Sequence, residues 1–187
     1  MLEVRFHGRG GQGTVIASEL LAQAAFLEAK YPQSFPFFGV ERRGAPVTAF
    51  TRIDDEPIRV RTSITAPGIV VVLDPSLLRT VPVTAGLKPD GLLLVNTEGP
   101  PEALGTTAGR VAVVDATSIA LAHGLGTKST PIVNTAILGA LARASDIVSL
   151  ESVLDAIARF VPAKPDANAA AAVAAYDQVR ILAGVVA

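Results

Sequence analysis

Gly8-Arg9-Gly10-Gly11-Gln12-Gly13 places glycines at G-x-G-x-x-G spacing, with Thr14 following directly. Glycines at that spacing permit a tight turn and a close backbone approach. The first free N–H groups of a following helix then face outward at the positive end of its dipole. A phosphate or carboxylate would be held there, and Arg9 would add a charge. Three readings stay open: a turn that only packs helix on sheet, an anion or cofactor contact, and a dinucleotide site. The dinucleotide reading needs an acidic residue ending a second strand, about 20 residues on. Here that stretch is rich in Pro and Phe, and Glu28 falls inside the preceding helix. A P-loop is ruled out, because Thr14 stands where the phosphate-binding Lys is required. Gly126-Thr127-Lys128-Ser129 resembles the tail of that motif but lacks its upstream glycine.

A second group with chemical potential is Phe35-Pro36-Phe37-Phe38-Gly39-Val40-Glu41-Arg42-Arg43-Gly44-Ala45-Pro46. Its phenylalanines either tuck into the core or anchor a partner. Arg42 and Arg43 could clamp a phosphate or carboxylate in bidentate fashion, or Glu41 could simply pair with one of them. Asp74, Asn96 and Asp115 each follow an apolar run, the place where open α/β sheets bind ligands. They are equally ordinary helix caps. Asp54-Asp55 reads as a solvated turn, His7 as a strand-end histidine, and His123 as a cation suited to a helix C-terminus. Asn134, in an apolar helix just after Pro131, is either an interface amide or a helix-start hydrogen bond. Gly139 suggests close helix approach. No Ser-His-Asp order, carboxylate dyad or metal cluster can be assembled.

The elements that must position these groups follow from periodicity. Leu2 to His7 alternates as a strand, and Thr14 to Lys30 has helical spacing. Tyr31 to Pro46 holds three prolines and two glycines, which forbids regular structure through much of it. Val47 to Ile53 and Pro57 to Arg61 flank Asp54-Asp55-Glu56 as a hairpin. Ile69 to Leu73, Leu92 to Val95 and Val111 to Val114 lack polar alternation, as strands buried on both faces do. Pro75 to Leu78 and Pro101 to Leu104 suit short helices. Thr117 to His123, Ile132 to Ala144, Leu150 to Phe160 and Asp166 to Ala183 are helical. The expected fold is α/β: a single Rossmann-like domain over residues 1–187, with a mixed, mostly parallel sheet, a hairpin and a helical C-terminal third.

The chain has 187 residues, enough for a real core without disulfides or metals. Sixteen Lys and Arg against 17 Asp and Glu give a net charge of -1, no electrostatic case for nucleic acid or an anionic membrane. Without Cys there is no disulfide, thiolate nucleophile or cysteine-held iron–sulfur cluster on this chain. Half the residues are hydrophobic and 18% charged, with a mean hydropathy of +0.45. No apolar run reaches the roughly 18 residues of a membrane span, and the N-terminus lacks signal-peptide order. The expectation is a cytoplasmic protein that buries extra apolar surface in subunit contacts.

Taken together, Gly8 to Gly13, Gly39 to Pro46, Phe50-Thr-Arg-Ile-Asp54, Pro131 to Leu141 and Val148 to Ser152 resemble the gamma subunit of pyruvate:ferredoxin oxidoreductases. The resemblance runs in order along nearly the whole chain. Its Glu-Arg-Arg-Gly-Ala-Pro version is closer to the pyruvate and branched-chain 2-oxoacid members. The resemblance implies a subunit of a complex that oxidatively decarboxylates a 2-oxoacid to an acyl-coenzyme A and reduces ferredoxin. In that family thiamine diphosphate with magnesium is held by the alpha and beta partners, and iron–sulfur clusters by the beta and delta partners. The implied role of this chain is non-catalytic, a scaffold with a share in coenzyme A contact through Gly8, Arg9, Gly10, Gly11, Gln12, Gly13, Arg42 and Arg43. The alternative is a self-contained Rossmann-type dinucleotide-binding oxidoreductase.

Overall fold

A computed structural model describes residues 1–37, 44–105 and 109–183 of the chain. Its centre is a seven-stranded sheet in the order β2-β3-β1-β4-β5-β6-β9. β1 (Leu2–Arg9), β4 (Ile69–Val72), β5 (Leu92–Asn96) and β6 (Arg110–Val114) run parallel. β2 (Tyr31–Pro36) and β3 (Pro46–Asp54) extend one edge antiparallel, and β9 (Arg180–Ala183) extends the other. Of the parallel strands, β4 and β5 are buried along their whole length, which explains the unbroken Ile-Val-Val-Val and Leu-Leu-Leu-Val runs.

The helices α1 (Thr14–Leu27), α2 (Ala116–Ala122), α3 (Asn134–Ser145), α4 (Leu150–Phe160) and α5 (Pro165–Gln178) share one core with Val4, Phe6, Val71, Leu92, Leu94 and Ala112 of the sheet. The opposite face is covered more thinly. Val70, Val72, Leu93 and Val95 pack there against Leu77 of a 3-10 turn (Pro75–Arg79) and against Val83. A second 3-10 turn spans Pro101–Leu104. Because strand side chains alternate, Val4 and Phe6 face the helices while Arg5 and His7 face the thin side.

Three expectations need correction. Tyr31 to Pro36, read as irregular, is edge strand β2 with Phe35 opposite Phe50. Its prolines are tolerated because they share one parity. Odd-numbered positions bond to β3, as Phe37 N–H does to Thr48 O, whereas Pro32 and Pro36 turn their missing N–H outward. Pro57 to Arg61 forms no strand, since both edges of β3 are already taken by β1 and β2. The antiparallel β2–β3 pair supplies the hairpin instead. The last helix stops at Gln178: Val179 turns extended, and Arg180–Ala183 closes the open edge of β6 antiparallel. One small element was not foreseen: Gly126–Thr127 (β7) and Thr130–Pro131 (β8) pair as a two-stranded ribbon just before α3.

Candidate functional site

β1 is where the topology reverses. From its carboxyl end the chain passes through α1 to β2 and β3 on one side, and only afterwards reaches β4 on the other. Ligands of open α/β sheets bind at such a switch point, and the glycine loop lies there. Gly11 and Gly13 hold φ of 101° and 81°, a left-handed backbone that disfavours any side chain. Gly13 is the N-cap of α1, whose first intrahelical bond runs from Ala17 N–H to Gly13 O. The N–H groups before it have no capping side chain. A Cβ on Gly8 would strike Thr14 Oγ1, so this glycine makes room for Thr14 beneath the loop. That hydroxyl, on a residue 3% exposed, has no hydrogen-bond partner among the described residues.

The side chains of the motif turn away from the helix end. Arg9 Nε donates to Asp74 Oδ2 at 3.1 Å, Nη2 to Ser76 Oγ at 2.8 Å and Nη1 to Gly44 O at 2.9 Å. Gln12 Oε1 accepts from Arg9 N–H, and its Nε2 donates to the same Asp74 carboxylate. Arg9 and Gln12 therefore brace the loop rather than project a free charge. Gly10 exchanges backbone bonds with the far loop, Gly10 N–H to Ala45 O and Gly44 N–H to Gly10 O. The glycine loop is thus tied directly to the end of the aromatic-arginine segment. Arg42, Arg43, Glu41 and Phe38 lie outside the described residues.

Above the loop is an open cavity of about 380 Å³ lined by Gly10, Gly11, Gly13, Val47, Ile132 and Asn134 among others. The last two come from the approach to α3, a contribution the glycine spacing does not signal. On the thin face, Phe35, Phe37 and Phe50 line a second concavity of about 460 Å³ with Arg61. Phe50 packs at ring-centroid distances of 5.2 Å from Phe35 and 6.5 Å from Phe37. Phe37 remains 60% exposed.

The other candidates serve the fold. Asp74 caps the first 3-10 turn through Ser76 N–H, and Asp115 caps α2 through Ser118 N–H. Asn96 binds Leu73 O and Thr117, while Asp54 accepts from Asp55 N–H. His123 is the C-cap of α2. His7 is buried, with Arg5 Nε donating to its Nε2 at 3.0 Å. Burial, then the neighbouring Arg5 charge, pulls its pKa down to about 4, so it stays neutral and accepting. Glu28, where a dinucleotide acid was sought, ion-pairs with Lys30 and accepts from Ser149 N–H at 2.6 Å. β2 presents no acidic residue at its end and is separated from β1 by the antiparallel β3, so the ribose-binding arrangement of a dinucleotide fold does not form. Among the described residues no cluster of three His, Asp or Glu could hold a metal.

A glycine loop at the switch point of a four-strand parallel core, with antiparallel edges, defines a Rossmann-like α/β subunit. A family model described as pyruvate ferredoxin/flavodoxin oxidoreductase matches residues 3–178. The gamma subunit common to the pyruvate and ketoisovalerate oxidoreductases of Thermococcus kodakarensis is 60% identical over 183 residues, covering 95% of this chain and 97% of that one. Pyruvate synthase subunit PorC of Methanothermobacter marburgensis is 52% identical, covering 96% and 98%. The crystal structure of pyruvate oxidoreductase subunit PORC from Thermotoga maritima superposes with a TM-score of 0.82 at 42% identity, covering 96% and 97%. The chain belongs to the pyruvate ferredoxin/flavodoxin oxidoreductase family, and within it to the gamma, or PorC, type of subunit.

Proposed function

We propose that this chain is the gamma subunit of a complex that oxidatively decarboxylates pyruvate or a branched-chain 2-oxoacid to acyl-coenzyme A and passes the electrons to ferredoxin. The observation that carries the reading is end-to-end identity of 50–60% with gamma and PorC subunits. The chain acts as one domain over residues 1–187, in the cytoplasm, beside alpha, beta and delta subunits or domains. Among the described residues no helix is long and apolar enough to cross a membrane. With no Cys, the chain offers no thiolate for an iron–sulfur cluster. The clusters therefore belong to the partners, and the family resemblance implies the same for thiamine diphosphate and magnesium.

Its own chemistry is recognition. The uncapped start of α1 over Gly10, Gly11 and Gly13 suits an anionic oxygen, and the cavity admits part of a coenzyme A. Gly8, Arg9 and Gln12 hold the loop in shape, and Arg42 and Arg43 supply charge from the segment that Gly44 and Ala45 tether to it. The dinucleotide alternative loses support with the missing acidic residue.

A gentle native pull-down with mass spectrometry and iron and thiamine assays tests the assembly. Recovery with cysteine-rich partners, iron and thiamine diphosphate is expected, and a clean homo-oligomer would overturn the reading. Replacing Arg42→Ala and Arg43→Ala together should raise the coenzyme A KM about tenfold in the assembled complex, by loss of charge-assisted contacts. Unchanged assembly and KM would remove those residues from the site.

A further inference from the structure

The two edges of the sheet differ in what they offer a further strand. At β2 the positions that turn away from β3 are Pro32, Ser34 and Pro36, and the two prolines have no N–H to give. One donor is left along that edge, too few for a ladder. β9 is different. Arg110 N–H donates to Gly91 O and Val114 O accepts from Thr97 N–H, which turns the even-numbered residues of β6 toward β5. The odd-numbered Val111 and Val113 therefore bond to Leu182 and Arg180 across the antiparallel pair. The N–H and C=O groups of Ile181 and Ala183 point outward, and among the described residues no hydrogen bond takes them up.

The usual defences of an exposed edge are absent from Arg180–Ala183, which holds no Pro, Lys or bulge. Its one charge is drawn aside: Arg180 Nη2 donates to Glu98 O at 2.8 Å and to Gly99 O at 2.7 Å. Ile181 is 46% exposed, and Leu182 is exposed as well. They lie on opposite faces, Ile181 beside Ala112 of the helix-side core and Leu182 beside Val111. A further strand that is apolar on both faces, as β4 and β5 are, would cover both side chains.

We propose that β9 is a docking edge at which an extended segment of a partner subunit adds a strand to the seven of this sheet, pairing with the outward N–H and C=O groups of Ile181 and Ala183. Size decides against a second copy of this chain. The four residues of β9 make an edge of about 13 Å, far short of the roughly 1,200 Å² that a specific interface buries when it stands alone. The added strand therefore belongs to a partner already held by other contacts, and its side chains beside Ile181 and Leu182 are apolar. The proposal rests on the gamma-subunit reading above and adds where one of the partners binds.

Hydrogen exchange of single amides, on the assembled complex and on this chain alone, tests it. Arg180 and Leu182 N–H, bonded to β6, should be protected in both. Ile181 and Ala183 N–H should exchange freely in the isolated chain and at least about tenfold more slowly in the complex. Ile181→Pro deletes one outward donor and leaves the bonds to β6 in place. It should weaken association with the partners about fivefold or more, while the Tm of the isolated chain shifts by no more than about 2 °C. Should Ile181→Pro fail to fold, Ile181→Lys, which keeps the backbone and puts a charge on the edge, decides by the same association measurement. An Ile181 amide that exchanges in the complex within about twofold of its rate in the isolated chain would overturn the proposal. Protection combined with undiminished association of the variant overturns it too, since the edge is then covered without being paired. Protection that grows with the concentration of the isolated chain and gains nothing from the partners makes the occupant a second copy, against the proposal. A pull-down that recovers no cysteine-rich partner defeats the gamma-subunit reading itself, whereas an assembled complex with an unprotected Ile181 defeats only this inference.

Discussion

His7 and Arg5 show how single residues were redirected by their surroundings. Both point to the thin face of the sheet, where Arg5 Nη2 binds Val83 O and Ala85 O and its Nε binds His7. With the folded His7 pKa near 4 and the ordinary value at 6.5, the unfolded chain takes up the proton first. Stability should fall as pH drops from about 6.5 to 4 and then level off for this group. Urea midpoints across that range should show the loss, and His7→Gln should flatten it. Glu28 acts in a lower window. Burial alone would raise its pKa, but hydrogen bonds from Lys30, Ser149 N–H and the Ser152 and Ser149 hydroxyls outweigh it and hold it at about 2. Its stabilisation is present above 4.5 and lost as pH falls toward 2. Glu28→Gln should therefore remove acid sensitivity below pH 4.5 only. Arg52 is the most buried cation among the described residues, 1% exposed, with Nε on Glu3, Nη1 on Gln33 and Nη2 on Thr62 O. Its removal leaves Glu3 without its partner, and Arg52→Ala should cost about 3 kcal/mol or more in a denaturation midpoint series.

At the scale of elements, the crossing of α3 and α5 carries the helical layer. A Cβ on Gly139 would run into the carbonyl oxygen of Ala172, so the two backbones meet where α5 offers Ala171, Ala172 and Ala175. Thr135 Oγ1 donates to Asn168 Oδ1 beside that contact, and Asn168 Nδ2 returns to Lys164 O. The alanine-rich stretch is thus a close-packing surface, not a low-complexity one. Gly139→Ala should destabilise the chain by about 1–3 kcal/mol through overpacking, read as a lowered Tm. The same crossing sets where α3 begins, and so where Asn134 stands over Gly13.

The whole molecule has an asymmetric cover. Five helices close one face, while loops and 3-10 turns cover only part of the other. Phe26 (65% exposed), Phe37, Tyr31, Phe160, Ile181 and Leu182 remain on the surface, and both edge strands, β2 and β9, present open ladders. Exposed apolar side chains beside unpaired strand edges are surface that subunit contacts can cover. The chain purified alone should self-associate or bind a hydrophobic dye at micromolar concentration, and lose both properties on assembly with its partners. Sedimentation velocity and dye fluorescence, with and without the partner subunits, measure this directly.

The amino-acid sequence by itself determined the buried parallel strands, α1 and α4 and the position of the glycine loop between β1 and α1, because each follows from local periodicity or from a backbone that only glycine adopts. The caps at Asp74 and Asp115 were legible for the same local reason. Tertiary structure alone decided the strand at Tyr31–Pro36, the loss of a strand at Pro57–Arg61 and the turn of Arg180–Ala183 into β9. In each case the outcome depends on whether a neighbouring strand has a free edge, which the local pattern of the segment does not carry. Tertiary structure also turned Arg9 to Asp74 and brought Asn134 to Gly13, 121 positions away in sequence. Side-chain partners across such separations are set by packing, and no spacing rule within a motif contains them.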